Sequence, residues 1–378
     1  MARRSVSRLE VSGYRFLTRR IEYALVCRDT RMLDDPLRIQ RLSLASGLAV
    51  AAIVLAVCAV LALLRPHGPL GDDPIVVVRE SGAMYVRVGD TVHPTPNLAS
   101  ARLIAGTPAQ PRVVGAAMLD EAELGPAMGI AGAPNSIGVV LDAAPTVWTL
   151  CDGAPERATT LIVGVPVAPS VAPPMLVTAR GSARTYLLHD GRKRAVDLRD
   201  RSAVGEMRLE GVVPLNVSRV LLDMLPESTA AHTTVPAAAP VGAEFGDVLC
   251  AQWRWTGIGQ SPETTTFTAT AAPAGPSSVA LAQADGPGPH IDAVSIPPGR
   301  SVYVRAAGSA GDGSTTGPCY LITGTGAAFG IRDDESAAAL GLPQAPGAAP
   351  WPVLAVLPHG PELAIDSALL MRDVLTPP

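Results

Sequence analysis

Lysine is almost absent from this 378-residue chain, because 29 of its 30 basic residues are arginine and only Lys193 is lysine. A phosphate-binding loop of the form G-x-x-x-x-G-K-[ST] needs a lysine after a glycine-rich turn, and Lys193 lies in DGRKRAV, which lacks that pattern. The run Gly324–Gly330 is near G-x-G-x-x-G but one residue too long, and we interpret its glycines as turn residues. C-x-x-C, H-E-x-x-H and G-x-S-x-G are also missing. We therefore predict no catalytic residue, no cofactor-binding residue and no metal ligand.

Positive charge is scarce outside the first 41 residues. That tail holds ten Arg against five acidic residues, a net charge of +5, whereas the whole chain carries −4, so the remainder carries −9. A nucleic-acid-binding surface is normally basic, and the acidic remainder argues against nucleic acid as a partner.

An uncharged apolar run extends from Leu42 to Leu64. At about 1.5 Å per helical residue it is long enough to cross a hydrocarbon core of about 30 Å. We predict a single transmembrane helix at residues 42–64, since a helix satisfies its own backbone hydrogen bonds in lipid.

The flanking charges predict the orientation of this helix. Arginine-rich flanks stay in the cytoplasm, so we expect a cytoplasmic tail at residues 1–41 and an extracytoplasmic domain at residues 65–378 of a plasma-membrane protein. A cleaved signal peptide is disfavoured because its apolar region has roughly 7–15 residues and its leading segment is short. A lipoprotein is disfavoured because Cys58 is followed by further apolar residues.

The tail contains a predicted amphipathic helix at residues 12–28, with Ser12 as a plausible N-cap. Its apolar residues recur at helical spacing, and the predicted partner-docking face consists of Tyr14, Leu17, Ile21 and Leu25. The helix could lie on the anionic inner leaflet or bind a partner protein. The alternative is a juxtamembrane helix that only positions the span.

Three segments of the large domain share one pattern, a predicted hairpin followed by a short helix. Aligned on Tyr85, Tyr186 and Tyr320, the turn glycines are Gly89, Gly191 and Gly326. The predicted repeat units lie near 84–106, 185–211 and 319–342. Asp333 is expected to cap the third helix rather than bind Ca²⁺. A second element recurs at 213–226 and 349–363.

Between the second and third units, the composition favours a central β-rich region at residues 240–305, with strands such as Val248–Trp255. We therefore predict a bitopic membrane protein with one N-terminal transmembrane helix. Its α+β extracytoplasmic domain is expected to consist of hairpin-plus-short-helix repeats around the central β-rich region.

Three cysteines, Cys151, Cys250 and Cys319, fall in the predicted extracytoplasmic domain, where disulfides persist. An odd number leaves one of them unpaired or paired in a way that the spacing does not show.

The tail SGYRFLTRRIEYALVCRDTRMLDDPLR, the adjacent span and the later segments YVRVGDTVHPTPNLASARLIAG, TYLLHDGRKRAV and LPHGPELAIDSALLMRD resemble the EccB family of type VII (ESX) secretion membrane proteins. The resemblance covers almost the whole chain. It implies a structural subunit that assembles with other ESX membrane subunits, and with copies of itself, to support protein export. It also implies a disulfide, and Cys151 and Cys250 match the family's cysteine contexts best.

Two other functions stay open. ATP hydrolysis has been ascribed to the family, so ATP is a cofactor by resemblance only, and elongated hairpin repeats also suit a cell-wall-binding surface module. The family typically has four repeats, whereas this sequence has three clear ones, and the stretch from Pro226 to Cys250 is too short for another.

Overall fold

A computed structural model describes residues 7–28, 36–63, 73–120, 122–153, 158–166, 172–228, 238–242, 248–271, 278–308 and 316–373. The chain divides into two compact units, Met1–Pro69 and Leu70–Pro378.

The first unit contains two helices, α1 (Arg8–Cys27) and α2 (Pro36–Leu63). The predicted N-cap at Ser12 is wrong, because α1 begins five residues earlier. Ser7 is the cap: its hydroxyl accepts a hydrogen bond from the Glu10 N–H at 3.2 Å, while the Glu10 carboxylate accepts one from the Ser7 N–H at 3.0 Å. This reciprocal capping box satisfies two backbone donors that a helix start leaves open.

The second unit is a mixed α+β domain. Its strands are β1 (Ile75–Val78), β2 (Met84–Val88), β3 (Thr91–Thr95), β4 (Arg112–Val114), β5 (Glu123–Leu124), β6 (Ala127–Met128), β7 (Val139–Val140), β8 (Thr146–Asp152), β9 (Thr159–Val163), β10 (Met175–Ala179), β11 (Thr185–His189), β12 (Arg192–Val196), β13 (Leu215–Val217), β14 (Val248–Trp255), β15 (Glu263–Ala269), β16 (Ser278–Ala280), β17 (Ala293–Ser295), β18 (Arg300–Ala307), β19 (Cys319–Ile322), β20 (Ala328–Ile331), β21 (Gly347–Pro350) and β22 (Met371–Arg372). Its helices are α3 (Leu98–Ala105), a 3₁₀ turn (Ala116–Met118), α4 (Arg201–Glu206), α5 (Arg219–Met224), α6 (Asp334–Leu340), α7 (Trp351–Leu354) and α8 (Ile365–Ala368).

Three small sheets share one strand order. They contain the runs β4-β1-β2-β3, β13-β10-β11-β12 and β21-β18-β19-β20. The strands at the left of each run, β4, β13 and β21, pair parallel to their neighbours β1, β10 and β18. The other pairs within each run are antiparallel. We call the three segments module 1 (residues 75–118), module 2 (175–225) and module 3 (300–357).

The modules also share their strand register. Tyr85, Tyr186 and Tyr320 each lie opposite a valine of the module's first strand, respectively Val76, Val177 and Val304. The same three valines pair with the returning strands at Arg112, Leu215 and Gly347.

Local sequence explains the hairpins and helix starts of the modules. The turn glycines Gly89, Gly191 and Gly326 all have positive φ, a conformation that side chains with a Cβ disfavour. The side chains of Asn97, Asp200 and Asp333 each accept a backbone N–H of the helix that follows, so the expected cap at Asp333 is present.

The central sheet has six strands in the order β15-β14-β8-β9-β17-β16. The predicted central region, residues 240–305, does not include β8 and β9. These two strands belong to the central sheet, although they precede module 2 in the chain. The predicted region also includes the start of β18, which belongs to module 3. Long-range pairing of β8 with β14 brings these distant segments together.

The main hydrophobic core lies where the central sheet meets modules 2 and 3. Trp148 and Trp253 are fully buried there and lie directly opposite each other on β8 and β14. The Trp148 indole N–H donates to the Ala348 carbonyl at 3.0 Å, which ties the central sheet to β21 of module 3.

Candidate functional site

The predicted docking face of α1 is exposed. Tyr14, Leu17, Ile21 and Leu25 have relative exposures of 75%, 56%, 59% and 77%. Their spacing of three and four residues places them along one side of the helix. An apolar stripe that is this exposed on a helix with several arginines is typical of a helix that binds a membrane surface or a partner.

The apolar stretch of α2 from Leu42 to Val60 has a mean hydropathy of 2.4, and none of its residues is buried. Side chains such as Leu48, Ile53 and Leu55 are more than 60% exposed. By length and composition this is one candidate membrane span among the described residues, and its exposed apolar surface matches a lipid environment.

Cys151 and Cys250 form a disulfide between β8 and β14, with Cα atoms 4.1 Å apart and 99 residues of separation. The two residues lie directly opposite each other in the strand register. Ile162, Val248 and Phe267 pack around the bridge, and both cysteines are fully buried. Cys58 and Cys319 are free, the first exposed on α2 and the second buried on β19.

Asp152, next to the disulfide, is a buried carboxylate that joins the central sheet to module 2. It accepts hydrogen bonds from the Thr159 hydroxyl at 3.0 Å and from the Ser218 backbone N–H, and the Arg180 guanidinium lies 3.6 Å away. Burial raises the pKa of the Asp152 carboxyl, and the Ser218 N–H and Arg180 oppose that rise. No local signal in the sequence marks Asp152 as buried, since an aspartate at a strand end is typical of an exposed position.

A second buried carboxylate, Asp292, extends the same network. It accepts the Thr159 backbone N–H at 2.6 Å and the backbone N–H groups of Asp285 and Gly286 at 2.8 and 2.7 Å. Because Thr159 bonds both carboxylates, the start of β9 is held from two sides.

Lys193 has a structural contact within module 2. Its Nζ donates to the Leu222 carbonyl at 2.8 Å, lies 4.0 Å from the Asp223 carboxylate and sits 6.0 Å from the centre of the Tyr186 ring. The lysine therefore ties β12 to the last turn of α5, where a cation is favoured by the helix dipole.

The other features considered for chemistry occupy turns and helix caps. Gly326 turns the β19–β20 hairpin with φ of 84°. Asp333, Asp334 and Glu335 start α6. Within the described residues, no group of three or more His, Cys, Asp or Glu side chains is placed to hold a metal ion.

A family profile matches nearly the full chain. The family described as "Type VII secretion system ESX-1, transport TM domain B" matches residues 3–243 and 228–377. The ESX-1 secretion system ATPase EccB1 of Mycobacterium tuberculosis is 28% identical, over 99% of this chain and 96% of that protein. The ESX-3 secretion system ATPase EccB3 of Mycolicibacterium smegmatis is also 28% identical, over 98% of this chain and 92% of that protein.

Solved structures agree with this match. A chain of the intact ESX-5 inner membrane complex superposes with a TM-score of 0.66 at 25% identity, covering all of this chain and 97% of the other. A chain of the periplasmic assembly from the same complex gives 0.66 over 83% of this chain, at 24% identity. An EccB3 dimer from the ESX-3 core complex has the same fold, with a TM-score of 0.59 at 22% identity. With the family profile matched over both compact units, this chain belongs to the EccB family of type VII secretion membrane proteins.

Proposed function

We propose that this protein is a membrane-anchored structural subunit of a type VII secretion complex. The observation that carries the proposal is the full-length match, span and α+β domain together, to a chain of an ESX-5 inner membrane complex. The subunit supports export by assembling with other ESX membrane proteins and with further copies of itself, as an EccB3 dimer does in the ESX-3 core complex.

In this proposal α2 crosses the plasma membrane once, with α1 in the cytoplasm and the α+β domain outside. Two features support this orientation. The +5 charge of residues 1–41 favours the cytoplasmic side. The Cys151–Cys250 disulfide favours an oxidising compartment for the large domain.

The exposed apolar face of α1 binds a neighbouring subunit at the inner membrane surface. Four large apolar residues lie on one side of this 20-residue helix. An apolar stripe of this kind suits binding in a hydrophobic groove of a partner protein. The extracytoplasmic domain is built of hairpin-plus-helix repeats, and the common strand order and register of modules 1, 2 and 3 support that description.

The alternative function is ATP hydrolysis, since the relatives EccB1 and EccB3 are both named as ATPases. It requires cationic or backbone groups to hold phosphates. Lys193, the one lysine of the chain, donates a hydrogen bond to the Leu222 carbonyl. Binding of an ATP phosphate by the Lys193 ammonium group would require that hydrogen bond to break.

The test is affinity purification of the tagged full-length protein from native membranes in mild detergent, with mass spectrometry of the proteins that co-migrate on a native gel. We expect other type VII membrane subunits in a large assembly. Recovery of the protein alone would overturn the structural-subunit proposal. Hydrolysis of ATP by the purified chain that is lost in Lys193→Met and kept in Arg194→Met would favour the alternative.

A further inference from the structure

Modules 2 and 3 correspond position by position around their helices. Asp200 and Asp333 cap α4 and α6 by accepting the backbone N–H three residues later, at 3.2 and 2.7 Å. Both helices are followed by an equivalent backbone hydrogen bond. The Leu209 N–H donates to the Val204 carbonyl at 2.9 Å, and the Leu342 N–H donates to the Ala337 carbonyl at 3.0 Å. Taking the caps as equivalent, the buried core of module 2 (Leu176, Leu187, Val196, Met207, Leu209) corresponds to Tyr303, Leu321, Ile331, Leu340 and Leu342 in module 3.

In module 3 this core is covered by module 1. Ala99 and Leu103 of α3 belong to the same hydrophobic cluster as Ala339 and Leu340 of α6. Arg102 also donates to the Leu340 carbonyl at 3.0 Å, so module 1 caps the end of α6.

In module 2 the equivalent core forms a separate cluster that contains no residue of another module. α4 has no buried residue, whereas Ser336, Ala337, Ala339 and Leu340 of α6 are buried. Among the described residues, nothing covers α4 as α3 covers α6.

The side chains at equivalent positions differ as this contrast requires. Glu206, exposed, stands where module 3 has Ala339, which is 2% exposed. Arg208 stands where module 3 has Gly341, and both have positive φ, 55° and 82°. A Cβ on Gly341 would come within 2.8 Å of the Pro108 Cβ of module 1, so the covered helix needs glycine there. At Arg208 a large charged side chain is accommodated.

The chain order shows where a covering module would belong. The hairpins β8–β9 and β14–β15 form the first four strands of the six-stranded sheet order. Module 2 follows β9 in the chain, and module 3 follows β15 after the intervening strands β16 and β17. Module 1 precedes β8 and covers module 3. Its counterpart would precede β14 and cover module 2, but only the short stretch between Met224 and Val248 lies there.

The relatives contain residues that this chain lacks. The alignment with EccB1 spans 475 residues, so about 100 aligned positions have no counterpart among the 378 residues of this chain. The two family matches overlap at residues 228–243, as expected where a stretch of the family profile is skipped.

We propose that the α4 face of module 2 is the surface on which longer relatives seat a further module, and that in this protein the face is exposed to solvent. The side chains of this face suit contact with water, because Glu206 and Arg208 stand where module 3 has the small residues Ala339 and Gly341. Because charged side chains are depleted in the core of protein interfaces, we expect the secretion complex to leave α4 exposed.

Hydrogen exchange of the full-length protein, alone in detergent and in the purified complex, tests this directly. We expect the backbone amides of α4 to exchange at least tenfold faster than those of α6, because α6 is covered, and we expect complex formation to leave α4 unchanged. Equal protection of α4 and α6 in the isolated protein would overturn the proposal. So would protection of α4 that appears only in the complex, since it would reveal a partner on that face.

Reciprocal substitutions provide a second, independent measurement. We expect Glu206→Ala and Arg208→Gly to change neither the melting temperature by more than a degree or two nor recovery of the complex. Ala339→Glu and Gly341→Arg should lower the melting temperature by many degrees, because they place large charged groups against module 1. Similar losses from both pairs of substitutions would contradict an uncovered α4.

Discussion

Cys151 and Asp152 are neighbours on β8, and their side chains leave the strand in opposite directions because strand residues alternate between faces. The Cys151 side faces Ile162 and Phe267 and bonds Cys250. On the other face, the Asp152 carboxylate accepts hydrogen bonds from Thr159 and from Ser218 of module 2. Two adjacent residues thus cross-link β8 to β14 within the central sheet on one face and connect that sheet to module 2 on the other.

The disulfide should contribute strongly to stability. Its loop of 99 residues corresponds to about 4 to 5 kcal/mol in the chain-entropy description, which assigns the effect to the unfolded state. We expect Cys151→Ala/Cys250→Ala to lower the free energy of unfolding by that order, measured by chemical denaturation of the full-length protein in detergent. Cys319→Ala is the control, since Cys319 is buried but closes no disulfide, so the substitution removes local contacts and leaves the unfolded chain unconstrained as before. Equal effects of the two changes would contradict the assignment.

The buried carboxylate of Asp152 predicts a pH dependence with a defined sign. Burial raises its pKa in the folded state above the unfolded value of about 3.9. Its contribution to stability is therefore complete below the unfolded pKa and is lost as pH rises through the folded pKa. The unfolding free energy of the wild type, relative to Asp152→Asn, should fall as pH increases from about 4. Denaturation curves at a series of pH values check this, and a difference that grows with pH would contradict it.

Among the elements, α1 has an apolar face that no other described element covers. Leu17 and Ile21 lie at the centre of that face. We expect Leu17→Asp/Ile21→Asp to release the protein from the secretion complex while its α+β domain stays folded, because two carboxylates oppose burial of the stripe.

Ser12→Asp/Arg19→Gln is the matched control for α1, since it changes the net charge by the same two units on the polar side of the helix. Native gels and co-purification report assembly, and circular dichroism reports folding. Unchanged recovery of the complex with the Leu17/Ile21 double variant would show that α1 does not dock.

At the scale of the whole molecule, the orientation of the span decides where each surface acts. Alkaline phosphatase needs disulfides to fold and is active only outside the cytoplasm. A fusion after Arg372 should be active, and a fusion before Arg8 should be inactive. The reverse pattern would overturn the proposed topology and with it the cytoplasmic role of α1.

Much of the architecture could be predicted locally. A tyrosine strand and a turn glycine predict the hairpins at 84–94, 185–196 and 319–331, and the expected cap of the third helix at Asp333 is confirmed. A serine can cap a helix at either Ser7 or Ser12, so the local sequence does not distinguish the two positions. In the structure the capping box between Ser7 and Glu10 places the N-cap of α1 at Ser7. The strands β8 and β9 were not assigned to the central sheet because their partners lie far along the chain.

The apolar span and the short elements of the modules can be predicted from local sequence, because hydropathy, turn chemistry and helix caps act within a few residues. The parallel strand pairings and the burial of Asp152 and Asp292 appear only once the chain is folded. The tertiary structure also decided that α6 is covered while α4 is not. Those properties depend on contacts between residues that are distant in the chain, such as Arg102 with Leu340, and nothing in the local sequence records them.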